Sequence, residues 1–125
     1  MEEEAKIVLA IVGWRGMTSD KHGTLFADAM TSFVLRHGVP HEVVSGGAKG
    51  ADTLGEAWAR KRGIRLVILK PDWKRGGRRA GLARNTDIVA ACTHMIAFPH
   101  DSGTGTQDSI KKALLLNKLD TVVKL

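Results

Sequence analysis

At 125 residues with 43% apolar side chains, the chain has material for one hydrophobic core and not for two, so a single domain over residues 1–125 is expected. Charged residues, 26% of the total, are spread along the chain with no low-complexity tract, which excludes a disordered protein and confines expected flexibility to the acidic start, Met1 to Ala5. The net charge of +6 points to an anionic partner, and a lone Cys92 without zinc-type Cys and His spacing excludes an intrachain disulfide and leaves no metal expected.

In chain order, Lys6 to Gly13 reads as a buried strand, because its Ile, Val, Leu and Ala residues run on without polar alternation. Its apolar stretch, Ile7 to Val12, is too short to span a membrane, and no signal-peptide pattern precedes it, so a cytoplasmic location is expected. Ser19 or Asp20 is the expected cap of a helix in which Leu25, Phe26, Ala29, Met30, Phe33 and Val34 recur at three-and-four spacing until Gly38 and Pro40 stop it. His41 to Ser45 reads as a strand, Ala51 to Arg62 as a helix closed by Gly63, and Ile64 to Leu69 as a third strand. A basic loop and a helix from Arg79 to Cys92 follow, then a strand over Thr93 to Phe98, a helix over Thr106 to Asn117 and a strand over Thr121 to Lys124. Five strands alternating with four helices predict an α/β fold: a Rossmann-like, doubly wound parallel sheet with helices on both faces.

In such a fold ligands lie outside the carboxyl ends of the strands, and the unusual segments of this chain all follow strands. Gly13 to Met17, Ser45 to Gly50, Lys70 to Arg78 and Pro99 to Gly105 hold the glycines, hydroxyls and arginines, whereas the turns around Gly38, Gly63 and Lys118 are plain. The run Ser45-Gly46-Gly47-Ala48-Lys49-Gly50 empties a strand into a helix, where free amides and the helix dipole favour an anion. It lacks the Gly-Lys-Ser/Thr ending of a Walker loop and matches only part of the dinucleotide fingerprint. Tight packing of strand on helix would also account for it. Asp52 suits the first helical turn or a ribose hydroxyl, and Lys49 adds a mobile charge. Ser102-Gly103-Thr104-Gly105-Thr106 offers amides and hydroxyls at a second helix start, either for phosphate or as a plain cap. Arg15 can clamp a phosphate and Trp14 can stack on a base or cover the sheet end. Arg60 to Arg62 is a helix C-terminal cluster; Lys74 to Arg79, with two glycines, is a loop facing the same rim.

The order Gly13-Trp14-Arg15, then Gly46-Gly47-Ala48-Lys49-Gly50-Ala51-Asp52, then Ala83-Arg84-Asn85, then Ile96-Ala97-Phe98 with Ser102 to Thr106 resembles the SLOG superfamily, in particular its small YspA-like, YpsA-related domains. The likeness runs from Lys6 to Lys124. It implies a Rossmann-like domain that binds a nucleotide or nucleotide-derived small molecule, with Arg84 and Asn85 among its ligand contacts and a homo-oligomer as a common state. The superfamily also holds LOG-type phosphoribohydrolases, which carry an Arg-Lys pair and a Pro-Gly-Gly-x-Gly-Thr-x-x-Glu loop. Arg84 matches their arginine, but Asn85 replaces the lysine and Ser109 stands where the catalytic glutamate would fall. A serine hydroxyl activates water poorly at neutral pH, so hydrolase activity of that type is not expected unless Asp52, Asp101 or Asp108 supplies a relocated carboxylate. His94 and His100 read as satisfied or solvated. The resulting expectation is a nucleotide-binding module, for sensing or sequestering, with no bound cofactor. Its site comprises Gly13, Trp14, Arg15, Ser45, Gly46, Gly47, Lys49, Gly50, Asp52, Arg84, Asn85, Ser102, Gly103, Thr104, Gly105 and Thr106. A phosphoribohydrolase using Arg84, and DprA-like binding of single-stranded nucleic acid through Lys74 to Arg79, are the alternatives. With 5% aromatic residues and no tyrosine, base-stacking platforms for the last are few, although Trp73 lies beside the basic run.

Overall fold

The two sides of the first strand set the architecture. Strand β1 (Val8–Gly13) sends Leu9 and Ile11 to one face of the sheet and Val8, Ala10 and Val12 to the other, and all five are buried. An apolar strand of this kind must be covered on both faces. In the computed structural model, which describes residues 5–77, 79–101 and 103–125, it lies at the centre of a five-stranded parallel sheet of order β3-β2-β1-β4-β5. The other strands are β2 (Glu42–Ser45), β3 (Arg65–Ile68), β4 (His94–Phe98) and β5 (Leu119–Val122). Helices α1 (Ser19–His37) and α2 (Ala51–Lys61) supply Phe26, Met30, Phe33 and Trp58 to the core on one face. Helices α4 (Arg79–Ala91) and α5 (Thr104–Leu115) supply Ile88, Val89 and Ala113 to the other. The expected Rossmann-like, doubly wound α/β fold is therefore the observed one, and Met1 to Glu4 of the expected loose start lie outside the described residues. No helix among the described residues is long and apolar enough to cross a membrane.

The differences from expectation are local and have local causes. Thr18 caps α1, its hydroxyl accepting from the Lys21 amide at 3.2 Å, so Ser19 and Asp20 lie inside the first turn instead of before it. Helix α5 begins two residues earlier than its apolar pattern indicates and stops at Leu115. Asn117 there takes a left-handed φ of 56°, while Lys118 N–H returns to Ala113 O at 2.9 Å and Asn117 N–H to Leu114 O at 3.1 Å. This closing pattern ends a helix without glycine and lets β5 start at Leu119, two residues before the expected strand. The basic run is not wholly a loop: Asp72 caps a single turn, α3 (Trp73–Gly76), by accepting from Arg75 N–H.

Phe33 is fully buried between α1 and the sheet, whereas Leu114 is 65% exposed. Phe33→Ala should cost about 3–5 kcal/mol of unfolding free energy and Leu114→Ala less than about 0.5, read from denaturant midpoints.

Candidate functional site

Strand order decides where a crevice can form. From β1 the chain turns toward β2 on one side, whereas β4, on the other side of β1, continues to β5, so the loops after β1 and β4 part at the carboxyl edge. A cleft of about 430 Å³ opens there, lined by residues from β1, its loop, α2, α3, α4 and the start of α5. The loop after β1 is fixed by its backbone. Trp14 N–H donates to Phe98 O at 3.0 Å, and Trp14 O accepts from Met17 and Ala51, each at 3.3 Å. The last bond brings the first turn of α2 against the loop so closely that a Cβ on Gly50, whose φ is +80°, would overlap the Trp14 carbonyl and Arg15. Gly50 is required there both for its backbone conformation and for that approach. The Trp14 ring stacks on His100 with centroids 3.8 Å apart and planes 11° apart.

The glycine run after β2 spends much of its polarity within the protein. Ser45 Oγ donates to Glu56 at 2.6 Å and accepts from Gly47 N–H at 3.2 Å, while Ala48 N–H donates to Asp52 Oδ2 at 3.1 Å. Gly46 turns its carbonyl inward to accept from Arg84 Nη1 at 2.7 Å. Asp52, 6% exposed, thus acts as an internal anion at the start of α2. Burial pushes its carboxyl up to about 6, with Glu56 adding to the rise. The Ala48 N–H, the Arg84 charge and the Gly46 N–H pull the other way.

On α4, Arg84 and Asn85 form the hub between the two halves of the site. Arg84 Nε donates to Asn85 Oδ1 at 3.1 Å, and Asn85 Nδ2 donates to Gly105 O at 3.3 Å and Asp108 Oδ2 at 3.1 Å. Lys112 completes the chain by donating to Asp108 at 2.7 Å and Leu82 O at 3.0 Å. Burial lowers the Arg84 pKa from its ordinary value; Asp52 opposes this and the neighbouring positive Arg15 reinforces it. Two guanidinium groups therefore repel one another beside a single buried carboxylate, a field that an incoming anion would relieve.

Of the expected site residues, Gly13, Trp14, Arg15, Asp52, Arg84, Asn85, Gly103, Thr104, Gly105 and Thr106 line the cleft together. Ser45, Gly46, Gly47, Lys49 and Gly50 do not. Ser45 bonds the Gly47 amide, Gly46 O holds Arg84 and Gly50 lies against the Trp14 loop, while Lys49 is outside the lining and Ser102 lies outside the described residues. The two glycine turns are thus not equivalent amide cradles: among the described residues the first contributes Ala48 to the lining, with its amide taken by Asp52, and the second contributes Gly103, Thr104, Gly105 and Thr106. Sequence reasoning left Leu82, 50% exposed, Gly81, Ala48 and Ile88 out of the site; it named Trp73, 54% exposed, only beside the basic run and Ser109 only in the place of a catalytic glutamate, and both line the cleft. The short turn α3 is what brings Trp73 over Gly81, and a tryptophan followed by lysine and arginine carries no periodic signal of that turn. Asp52 is the carboxylate that the cleft presents among the described residues: Asp108 is held by Asn85 and Lys112, and Asp101 pairs with Lys124. Among those residues no group of three His, Cys, Asp or Glu side chains could hold a metal ion.

Comparison with known proteins gives two matches. A family model described as "YspA, cpYpsA-related SLOG family" matches residues 10–76, which include β1 from Ala10 onward, the glycine run, Asp52 and Trp73. A protein of Mycobacterium phage D29 named "Gene 61 protein" is 32% identical over 99 residues, 74% of this chain and 79% of its own length. No solved structure gives a significant match.

Two predictions follow from this geometry. A Cβ on Gly46 meets the Arg84 guanidinium and Asp52 Oδ2, both side-chain ends, whereas one on Gly50 meets fixed backbone. Gly50→Ala should therefore destabilise the fold by more than about 2 kcal/mol, and Gly46→Ala should cost less than Gly50→Ala, its loss coming from displacement of Arg84 from Gly46 O and Asn85. For Asp52, a folded-state pKa of about 6 against an unfolded value of 3.8 means that folding favours the protonated form. Its stability contribution is best below pH 4, falls as pH rises through 6 and is flat above. Asp52→Asn should raise unfolding free energy at pH 8 by on the order of 1–3 kcal/mol and change it little at pH 4; an equal effect at both values would contradict the assignment.

Proposed function

We propose, from the premise that this chain belongs to the YspA, cpYpsA-related SLOG family, that it binds a nucleotide or nucleotide-derived phosphorylated small molecule in the cleft above β1 and β4. The observation that carries the reading is the meeting of unlike groups in one cleft. Arg15, Arg84 and the first turn of α5, with Thr104 and Thr106, supply positive charge and donors, as a phosphate requires. Trp73, which lies over Gly81, and Leu82 supply apolar surface, as a base requires. Asn85 and Asp52, beside Arg84, have the donor and acceptor groups to orient a sugar. Binding of this kind senses or sequesters the ligand without an acid or base.

A second reading, cleavage of a nucleotide N-glycosidic bond, is favoured by one observation: the buried Asp52, which titrates at about 6 inside the cleft. A carboxyl so tuned can exchange a proton near neutrality or hold cationic ribose character. Incubation with nucleoside monophosphates and chromatography for free base separates the readings. Turnover lost in Asp52→Asn supports catalysis, and no free base at high protein concentration removes it.

Calorimetry with adenine nucleotides, ADP-ribose and cyclic derivatives tests binding itself. At least one should bind, and Arg15→Ala and Arg84→Ala should each weaken it roughly 10- to 100-fold, the worth of a charge-assisted hydrogen bond. Because Asp52 loses its charge as pH falls through about 6, ADP-ribose and the cyclic derivatives, whose phosphates lack the monoester ionisation near 6, should bind more tightly at pH 5 than at pH 8, and Asp52→Asn should flatten that dependence. Failure of every ligand, or wild-type affinity in both arginine variants, would overturn the proposal.

A further inference from the structure

A second groove, of about 360 Å³, lies on the other side of Arg84. Its lining includes Lys70, Arg75 and Arg79 together with Arg84, and two carboxylates, Asp72 and Asp87, which leave a positive excess. Asp72 is engaged in capping α3 through the Arg75 amide. Among the described residues, Lys70, Arg75 and Arg79 enter no ion pair, a state they share with Lys21, Lys49 and Lys111, but the first three converge with Arg84 on one groove. The glycine run helps to build this groove. Lys70 lies along Gly47, where an added Cβ would come within 3.2 Å of its Cγ and 3.4 Å of its Cε, so the bare glycine seats the lysine stem.

The first turns of helix α4 line both cavities, Gly81, Leu82, Asn85 and Ile88 the cleft and Ala80, Ala83 and Asp87 the groove. Arg84 lines both. A guanidinium has five N–H donors, and the bonds to Gly46 O and Asn85 Oδ1 account for two of them. The same one-turn helix places Trp73 in the cleft and Arg75 in the groove.

We infer that the groove of Lys70, Arg75 and Arg79 is a second anion subsite, so that the ligand is a nucleotide carrying two phosphate groups held apart by the nucleoside, with Arg84 between them. This rests on the nucleotide-binding reading of the cleft. A terminal phosphate occupies the start of α5, the base lies against Trp73, and a phosphate on the far side of the sugar enters the groove. A diphosphate chain, whose charges are adjacent, would leave the groove unused.

The test compares adenosine 5′-monophosphate with adenosine 3′,5′-bisphosphate on three proteins: wild type, Lys70→Ala/Arg79→Ala, and the control Lys6→Ala/Lys61→Ala, which removes two exposed cations from the edge where the strands begin. Lys70 and Arg79 are themselves exposed, so the fold tolerates their truncation. The bisphosphate should bind roughly tenfold or more tightly than the monophosphate to wild type and to the control, and the advantage should fall below about twofold in Lys70→Ala/Arg79→Ala. Monophosphate affinity should stay within about twofold across all three. An advantage absent from wild type, retained in Lys70→Ala/Arg79→Ala, or equally lost in the control overturns the subsite while leaving the cleft reading intact. Failure of both nucleotides to bind wild type overturns the cleft reading and this one with it.

Discussion

The placement of β1 between β2 and β4 governs everything at the carboxyl edge of the sheet. Parallel neighbours on both sides oblige the chain to leave β1 in one direction and β4 in the other, and the space between the departing loops is the cleft. That central position depends on burial of both faces of β1: Leu9 and Ile11 pack under α1 and α2, Val8, Ala10 and Val12 under α4 and α5. Polar substitution on either face would be paid in the core before it was felt at the site. The site thus inherits its rigidity from residues that no ligand touches.

On that frame the local electrostatics form one connected set. Gly46 O holds Arg84, Arg84 holds Asn85, Asn85 reaches the first turn of α5 and Asp108, and Lys112 closes the far end. Asp52 sits beside this chain as a buried carboxylate that already occupies the Ala48 amide. The start of α2 is consequently satisfied from within, and the start of α5 is the helix terminus that the cleft displays. Partial occupation of a binding region by the protein's own charge keeps a cationic pocket from carrying unbalanced charge when empty.

Much of this was legible in the sequence because it depends on composition and spacing. A continuous Ile/Val/Leu/Ala run marked β1, and Gly63 marked the end of α2, where Ile64 N–H returns to Ala59 O at 2.9 Å. The clustering of glycines, hydroxyls and arginines after strands pointed to the edge where the cleft opens. What was not legible depends on side-chain direction. Nothing in Ser45-Gly46-Gly47-Ala48 says that Ser45 and Asp52 will take the loop's own amides, since a glycine-rich turn reads alike whether its N–H groups face a ligand or a neighbouring carboxylate. Trp73 was invisible as a cleft residue because a four-residue turn has no period, and the left-handed Asn117 displaced the end of α5 for the same reason. Family likeness singled out Arg84 and Asn85, whose roles as a hub emerge only from contacts across the sheet edge.

The central claim, that an anion is held between the start of α5 and the paired guanidinium groups of Arg15 and Arg84, is tested most directly by backbone amide chemical shifts during titration with adenosine 5′-monophosphate. Saturable shifts should be largest at Gly103, Thr104, Gly105, Thr106 and Arg15. Shifts confined to Gly47, Ala48 and Lys49, or scattered along the exposed helices without saturation, would contradict it.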